Sequence, residues 1–239
     1  MYDFFSIGLS LLSSNGEGKK GRRKILSAEA RRILSLLGDG ILHETDMEKD
    51  ENGRPYFPGG KADLNMSHSG DITAVSLVSG QNPQEKLRTG CDIELVKPRI
   101  NTIEIAKSYF SASERDYIFR ADENPLGDIR FFTIWTLKEC FLKLRGLSVF
   151  DMRDSPSFIN AEGHFSFGAA VSSPLSFYVY GLKGPSGETY VLSAAIEGAD
   201  PPQSLAPRLR WFSQSCLPAS SIVEINAAAS PIKTVSPKM

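Results

Sequence analysis

Residues 89–99 read TGCDIELVKPR, and the two acids inside this otherwise apolar stretch restrict the fold more than any other feature of the chain. In an extended strand successive side chains alternate faces, so Asp92 and Glu94 share one face while Cys91 and Ile93 take the other. Two carboxylates about 7 Å apart on one face repel and raise each other's pKa unless a cation or basic partner sits between them. Something positive is therefore expected to bind there. The plain alternative is an edge strand kept soluble by its charges.

The chain has 239 residues, enough for one large domain or two small ones, and 41% of them are hydrophobic, an ordinary supply for a globular core. Basic and acidic residues number 27 and 28, for a net charge of −1, so no global field recruits nucleic acid or an anionic membrane. Three cysteines, Cys91, Cys140 and Cys216, with no Cys-x-x-Cys spacing, argue against a disulfide framework or a structural zinc site. A reducing cytoplasm is the expected location. The opening MYDFFSIGLSLLSS lacks a basic leader and is too short to span a bilayer, and it reads as a first strand.

Along the chain the pattern is α+β. RRKILSAEARRILSLLGDG places Ile25, Ala28, Ile33, Leu36 and Leu37 near helical spacing, a basic amphipathic helix. ENGRPYF holds a turn, ADLNMSHSG a short strand running into a polar loop, and ITAVSLVSG a strand. A helix in NTIEIAKSYF breaks before Ser111, where Ser-x-x-Glu to Glu114 forms a capping box. IRFFTIWTLKECFLKLRG is the strongest helix and Gly146 ends it; HFSFGAAV, LSFYVYGLKG and TYVLSAAIEG read as strands. The order of elements suggests two related halves, residues 1–89 and 90–199, each a helix on a small antiparallel sheet. Residues 200–239, rich in Pro, Ser and Ala, form a tail expected to be partly disordered and to dock through Trp211.

In the strong helix Glu139 and Lys143 stand four residues apart on one face, beside Lys138. Alone, such a pair reads as a surface ion pair. Its setting gives it more weight. NGRPYF, LNMSHSGD, GCDIELVKPR followed by YFSASE, and IWTLKECFLKLRG occur in an order that resembles the 4′-phosphopantetheinyl transferases of the surfactin-synthetase-activating class. The match covers about residues 22–147; each motif is weak and the ordered set is specific.

The resemblance implies a fold of two pseudo-symmetric halves. It also implies an enzyme of the holo-acyl-carrier-protein synthase type, moving the 4′-phosphopantetheine arm of coenzyme A onto a serine of an apo acyl or peptidyl carrier protein. Adenosine 3′,5′-bisphosphate would be released, in fatty-acid or secondary-metabolite biosynthesis. Asp92, Glu94 and Glu139 would hold Mg²⁺, or Mn²⁺, as an all-oxygen site. Glu139 would help take the serine proton and Lys143 would stabilise the departing bisphosphate. Ser67 and His68 would contact phosphate oxygens. Arg54 stands where the family has lysine in a Gly-Lys-Pro turn, keeping a positive charge near a phosphate.

One departure lies upstream. The stretch where the family carries a basic group for the 3′-phosphate of coenzyme A has no charge here. Lys19, Lys20, Arg22 and Arg23 are the substitutes, Arg23 foremost because it opens the matching helix; a solvated basic face is the alternative. Glu114 matches an acid that lies near the family's active centre and also fits a plain helix cap. Two rival readings stand beside the enzyme, which is expected to be a monomer that binds neither nucleic acid nor membrane. One is a non-catalytic relative that binds carrier protein or nucleotide, and the other a metal-dependent phosphoryl enzyme acting on nucleic acid, which the missing basic stripe disfavours.

Overall fold

A computed structural model describes residues 4–11, 19–38, 47–51, 53–59, 62–80, 87–98, 101–120, 127–170, 173–184, 186–198, 208–212 and 230–235. The chain begins with strand β1 (Phe4–Leu11), helix α1 (Lys19–Leu37), the two-residue strands β2 (Glu48–Lys49) and β3 (Pro55–Tyr56), then β4 (Ala62–Ser69) and β5 (Ile72–Ser79). It continues through β6 (Arg88–Leu95), α2 (Thr102–Tyr109), α3 (Ala112–Phe119), α4 (Gly127–Arg145), a 3-10 segment Val149–Asp154, and the hairpin β7 (Leu175–Lys183) and β8 (Thr189–Glu197). The class is α+β, as the alternation of patterns predicts.

Two four-stranded sheets carry the fold, in the orders β4-β5-β1-β9 and β10-β7-β8-β6, where β9 is Arg208–Trp211 and β10 is Ser230–Val235. In each, a hairpin lays its second strand against the strand that began the segment: β5 pairs with β1 and β8 with β6, all antiparallel. The alternation of β1 and β6 then sorts the layers. Phe5, Ile7 and Leu9 from β1 and Cys91 and Ile93 from β6 meet Tyr178, Tyr180 and Leu192 in a core between the sheets. A second core packs α1 on the outer face of the first sheet, and a third packs α2, α3 and α4 on the outer face of the other. The resulting order is helix, sheet, sheet, helix.

Several local expectations change. The buried stripe of α1 is Leu26, Ala30, Ile33, Leu34 and Leu37; Ile33 and Leu37 are where the spacing put them, whereas Leu36 is 41% exposed and Ala28 faces solvent, because the sheet selects Leu26, Ala30 and Leu34 in their place. Among the described residues of HFSFGAAV there is a bridge, Ile159 to Phe165, and no strand. SHS belongs to β4 itself and not to a loop. Two pieces of the 200–239 tail extend the sheets, β9 parallel to β1 and β10 antiparallel to β7; Trp211 pairs by backbone register with Leu9, and its side chain lies outside the described residues, as do His43 and Cys216. Ends of helices follow local chemistry: Ser111 and Glu114 make the capping box. Gly146, at φ +70°, closes α4 with Leu147 N donating to Leu142 O at 2.8 Å. Among the described residues no helix is long and apolar enough to cross a membrane.

Candidate functional site

The site forms where α4 crosses β6, and Gly90 permits the approach. A Cβ on Gly90 would stand 2.3 Å from the backbone oxygen of Cys140 and 2.9 Å from Leu144 Cβ. Thr136 Oγ1 and Ser193 Oγ, 2.8 Å apart, fix the helix against β8. The i, i+4 face of α4 that carries Glu139 and Lys143 is thereby brought to the face of β6 that carries Asp92 and Glu94.

Asp92 is 5% exposed. Its Oδ1 accepts from Lys143 Nζ at 2.6 Å and from Ser67 Oγ at 2.7 Å, while its Oδ2 is buried with no hydrogen-bond partner. Lys143 also donates to Ser67 Oγ at 3.0 Å and Cys91 O at 3.4 Å. Burial pulls the lysine pKa down, and the charge and hydrogen bond of Asp92, together with nearby Cys91 and Glu139, push it up, so it ends above its ordinary value. Glu139 is pushed up to about 7, first by burial, then by the charge of Asp92, with Lys143 opposing and Glu94 adding to the rise. The centre thus carries three carboxylates against one ammonium.

Among the described residues no three His, Cys, Asp or Glu side chains close on one point as a ligand set. Asp92, Glu94 and Glu139 nevertheless suit a hard divalent cation in three respects. All their donors are oxygens, their negative charge exceeds the lysine's, and Asp92 keeps a buried oxygen that no protein group satisfies.

From the other sheet, β4 meets β6 side chain to backbone. Asp63 Oδ2 accepts from Thr89 N at 2.8 Å, Asn65 Oδ1 from Cys91 N at 3.3 Å, Ser67 Oγ from Ile93 N at 3.4 Å and Ser69 Oγ from Leu95 N at 3.0 Å. Every rung spans 26 residues, so the strands run parallel and alternate side chains of β4 replace a backbone ladder. Ser67, expected to bind phosphate, is tied to Asp92, Lys143 and Ile93.

Arg54 needs a correction. Its guanidinium grips Asp63 with Nη1 at 2.9 Å and Nη2 at 2.5 Å, and also donates to Thr89 O at 3.1 Å and Lys143 O at 3.3 Å. A fork committed to a buried carboxylate and two carbonyls is a clasp joining the β2–β3 turn, β4, β6 and the end of α4, and it is not the free phosphate donor expected from its motif. Gly53, at φ +78°, makes the turn that delivers it.

A cleft of about 350 Å³ opens beside this centre, between α1, the β2–β3 turn and β4. Ser67 and the exposed His68 line it, with Arg31, Lys49, Met66 and Thr73. Lys19, Lys20, Arg22 and Arg23 lie in the first turns of α1, and their side chains are outside the described residues.

Glu114 lies away from the acids of β6. Fully buried, it accepts from Ser111 N at 2.8 Å and Phe158 N at 2.9 Å and pairs with Lys138 Nζ at 3.3 Å. Lys138 also donates to Ser155 Oγ at 3.0 Å and Pro156 O at 3.2 Å; burial lowers its pKa and Glu114 partly restores it. The pair pins α3, α4 and the 155–158 segment together.

Sequence reasoning missed Asp63, Asn65 and Ser69, and it passed over Arg31 and Lys49 of the cleft. The signal for the first three is the polar alternation Asp-x-Asn-x-Ser-x-Ser in a strand whose intervening residues are apolar up to Met66. Arg31 and Lys49 carry no local pattern.

Residues 88–195 match the family model described as the 4′-phosphopantetheinyl transferase superfamily. The chain is 29% identical over 134 residues to a "Putative 4'-phosphopantetheinyl transferase" of Haemophilus influenzae, covering 56% of this chain and 54% of that protein. To the "4'-phosphopantetheinyl transferase AcpT" of Escherichia coli K12 it is 31% identical over 138 residues, covering 55% of this chain and 67% of the relative. To the "4'-phosphopantetheinyl transferase Sfp" of Bacillus subtilis it is 34% identical over 141 residues, covering 54% and 58%. The chain therefore spans between about half and two thirds of these relatives. Proteins named AcpT and Sfp both stand among them, so the similarity reaches across the family and does not single out the surfactin-activating class.

Proposed function

The chain belongs to the 4′-phosphopantetheinyl transferase superfamily, and on that premise we propose that it transfers the 4′-phosphopantetheine arm of coenzyme A to a serine of an apo carrier protein. The observation that carries this reading is the meeting of Asp92, Glu139 and Lys143 beside a cleft whose lining includes Arg31, Lys49 and His68 with one acid, Glu48. In the reaction the serine oxygen bonds to the β-phosphorus, the pyrophosphate P–O bond breaks, and adenosine 3′,5′-bisphosphate leaves.

The chain's own groups divide the work. The cleft takes the nucleotide, with Arg31, Lys49 and His68 facing its phosphates and Ser67 at its inner edge. Glu139, on the face of α4 that also carries Lys143, would help take the serine proton, directly or through water. Lys143, which donates to Ser67 Oγ at 3.0 Å at that edge, offsets charge on the departing bisphosphate. Asp92, through Oδ2, with Glu94 and Glu139 would hold Mg²⁺, for which Mn²⁺ can substitute; when bound, the ion supplies charge neutralisation and Lewis acidity to the pyrophosphate. Arg23, on the first turns of α1, is the further candidate for the 3′-phosphate. We take the enzyme to act as a cytoplasmic monomer of the surfactin-activating class.

The test is incubation with coenzyme A, Mg²⁺ and a panel of apo fatty-acid, polyketide, peptide-synthetase and lysine-pathway carriers, following carrier mass. One carrier should gain a phosphopantetheine on a single serine, and Asp92→Ala should abolish the gain. A chain that binds coenzyme A and modifies none of them is a binding protein and not this enzyme.

A further inference from the structure

We infer that Ser67 and Ser69 are positioning residues for the two acids of β6, so that the divalent-cation site is held by both sheets at once. The inference rests on the metal reading proposed above. A serine hydroxyl has one proton and two lone pairs, and each of these serines uses them in the same way. Ser67 Oγ accepts from Ile93 N at 3.4 Å and gives its proton to Asp92 Oδ1 at 2.7 Å. Ser69 Oγ accepts from Leu95 N at 3.0 Å and gives its proton to Glu94 Oε2 at 2.7 Å. In both, the backbone N–H of the residue after the acid fixes the hydroxyl, and the hydroxyl then fixes one oxygen of the acid.

A purely structural reading treats these bonds as a seam between the sheets. The same seam supplies the control. Its other two rungs, Asp63 to Thr89 and Asn65 to Cys91, accept backbone N–H groups in the same register, but the β6 position between them is Gly90, which has no carboxylate to hold. The hydroxyl-to-carboxylate bond is therefore confined to the two rungs beside Asp92 and Glu94. At Asp92 its effect is visible: one oxygen is taken by Ser67 and Lys143, and the other is left buried without a protein partner. Outer groups that orient ligating carboxylates in this way contribute about 10- to 100-fold in metal affinity. Ser69 gives the cleaner test, because Ser67 also contacts Lys143 and lines the cleft.

The experiment titrates the full chain with Mn²⁺ alone, reading free Mn²⁺ by its paramagnetic resonance, with thermal unfolding in chelator as a second readout. Ser69→Ala is expected to weaken Mn²⁺ binding about tenfold, Ser69→Thr to bring it back near the parent, and Asn65→Ala to lower the melting temperature with Mn²⁺ affinity unchanged. Should Ser69→Ala not fold, Ser69→Cys, which keeps the volume with a weaker donor, is expected to show the same loss of affinity. Parent-like Mn²⁺ binding by a folded Ser69→Ala or Ser69→Cys chain, with only the melting temperature reduced, overturns the inference and leaves the metal reading standing. A parent chain that binds no Mn²⁺, or an Asp92→Ala chain that binds it as tightly as the parent, overturns the metal reading and the inference with it.

Discussion

Helices α1 and α4 both have 19 residues, and each lies on the first strand of its sheet in chain order across a glycine. Beneath α1 the strand face is Ser6, Gly8 and Ser10; beneath α4 it is Gly90, Asp92 and Glu94. A Cβ on Gly8 would meet a side chain, Ile33 Cγ2 at 2.2 Å, whereas one on Gly90 would meet a backbone oxygen at 2.3 Å. The ion pairs differ in the same sense. Glu29 and Arg32 pair within α1, the glutamate buried and the arginine side chain 36% exposed, while Lys138 and Glu114 join separate elements with both members buried, at 1% and 0% exposure. A helix crossing a strand at a glycine thus meets an uncharged strand face in the first sheet and a charged one in the second. The difference lies in which side chains the close approach encloses.

The strongest way to break this contrast is at the enclosed ion pair. Lys138→Ala should cost about 3–5 kcal/mol, because it leaves a buried carboxylate without its cation; chemical unfolding would measure it, and a loss under 1 kcal/mol would contradict the burial-based account. Next come the glycines. Gly90→Ala is expected to lower transfer activity about 100-fold or more, since α4 must shift and carry Glu139 and Lys143 with it. Gly8→Ala should cost about 1–3 kcal/mol of stability through overpacking against Ile33, with activity of the folded chain within a few fold of the parent. Equal activity losses in the two variants would erase the proposed distinction.

The charged seat should also show in the pH dependence of stability. Glu139 has a folded pKa of about 7 against an ordinary value of 4.5, so between the two the folded chain holds a proton that the unfolded chain has released. The stability this provides is fully present below about pH 4.5 and is lost as pH rises through about 7. Melting curves in chelator across that window should fall for the parent and flatten for Glu139→Gln. The weaker ion-pair effect belongs to α1: Arg32→Ala, removing the 36% exposed i, i+3 partner of the buried Glu29, should cost about 1–3 kcal/mol in the same unfolding assay, less than Lys138→Ala.

Local patterns carried much of this into the sequence. The alternation in GCDIEL put Asp92 and Glu94 on one face with Cys91 and Ile93 opposite, and the i, i+4 spacing put Glu139 with Lys143, because strand and helix periods depend on backbone geometry alone. The Ser111–Glu114 box was legible for the same reason; that Glu114 also meets Lys138 was not. The stripe of α1 was legible at Ile33 and Leu37 and missed at Leu26, Ala30 and Leu34, because several apolar spacings were available and the sheet beneath chose among them.

From its residues alone the chain determined an α+β class, a paired-acid strand, a helix with a glutamate and lysine on one face, and where several elements begin and end, all set by neighbours within a turn or a strand repeat. Tertiary structure decided the partners: Arg54 holds Asp63, and Ser67 and Ser69 hold the acids 25 residues onward. A charged or hydroxyl group bonds whatever lies within about 3 Å, and for residues far apart in the chain that distance is set by which strands and helices pack together.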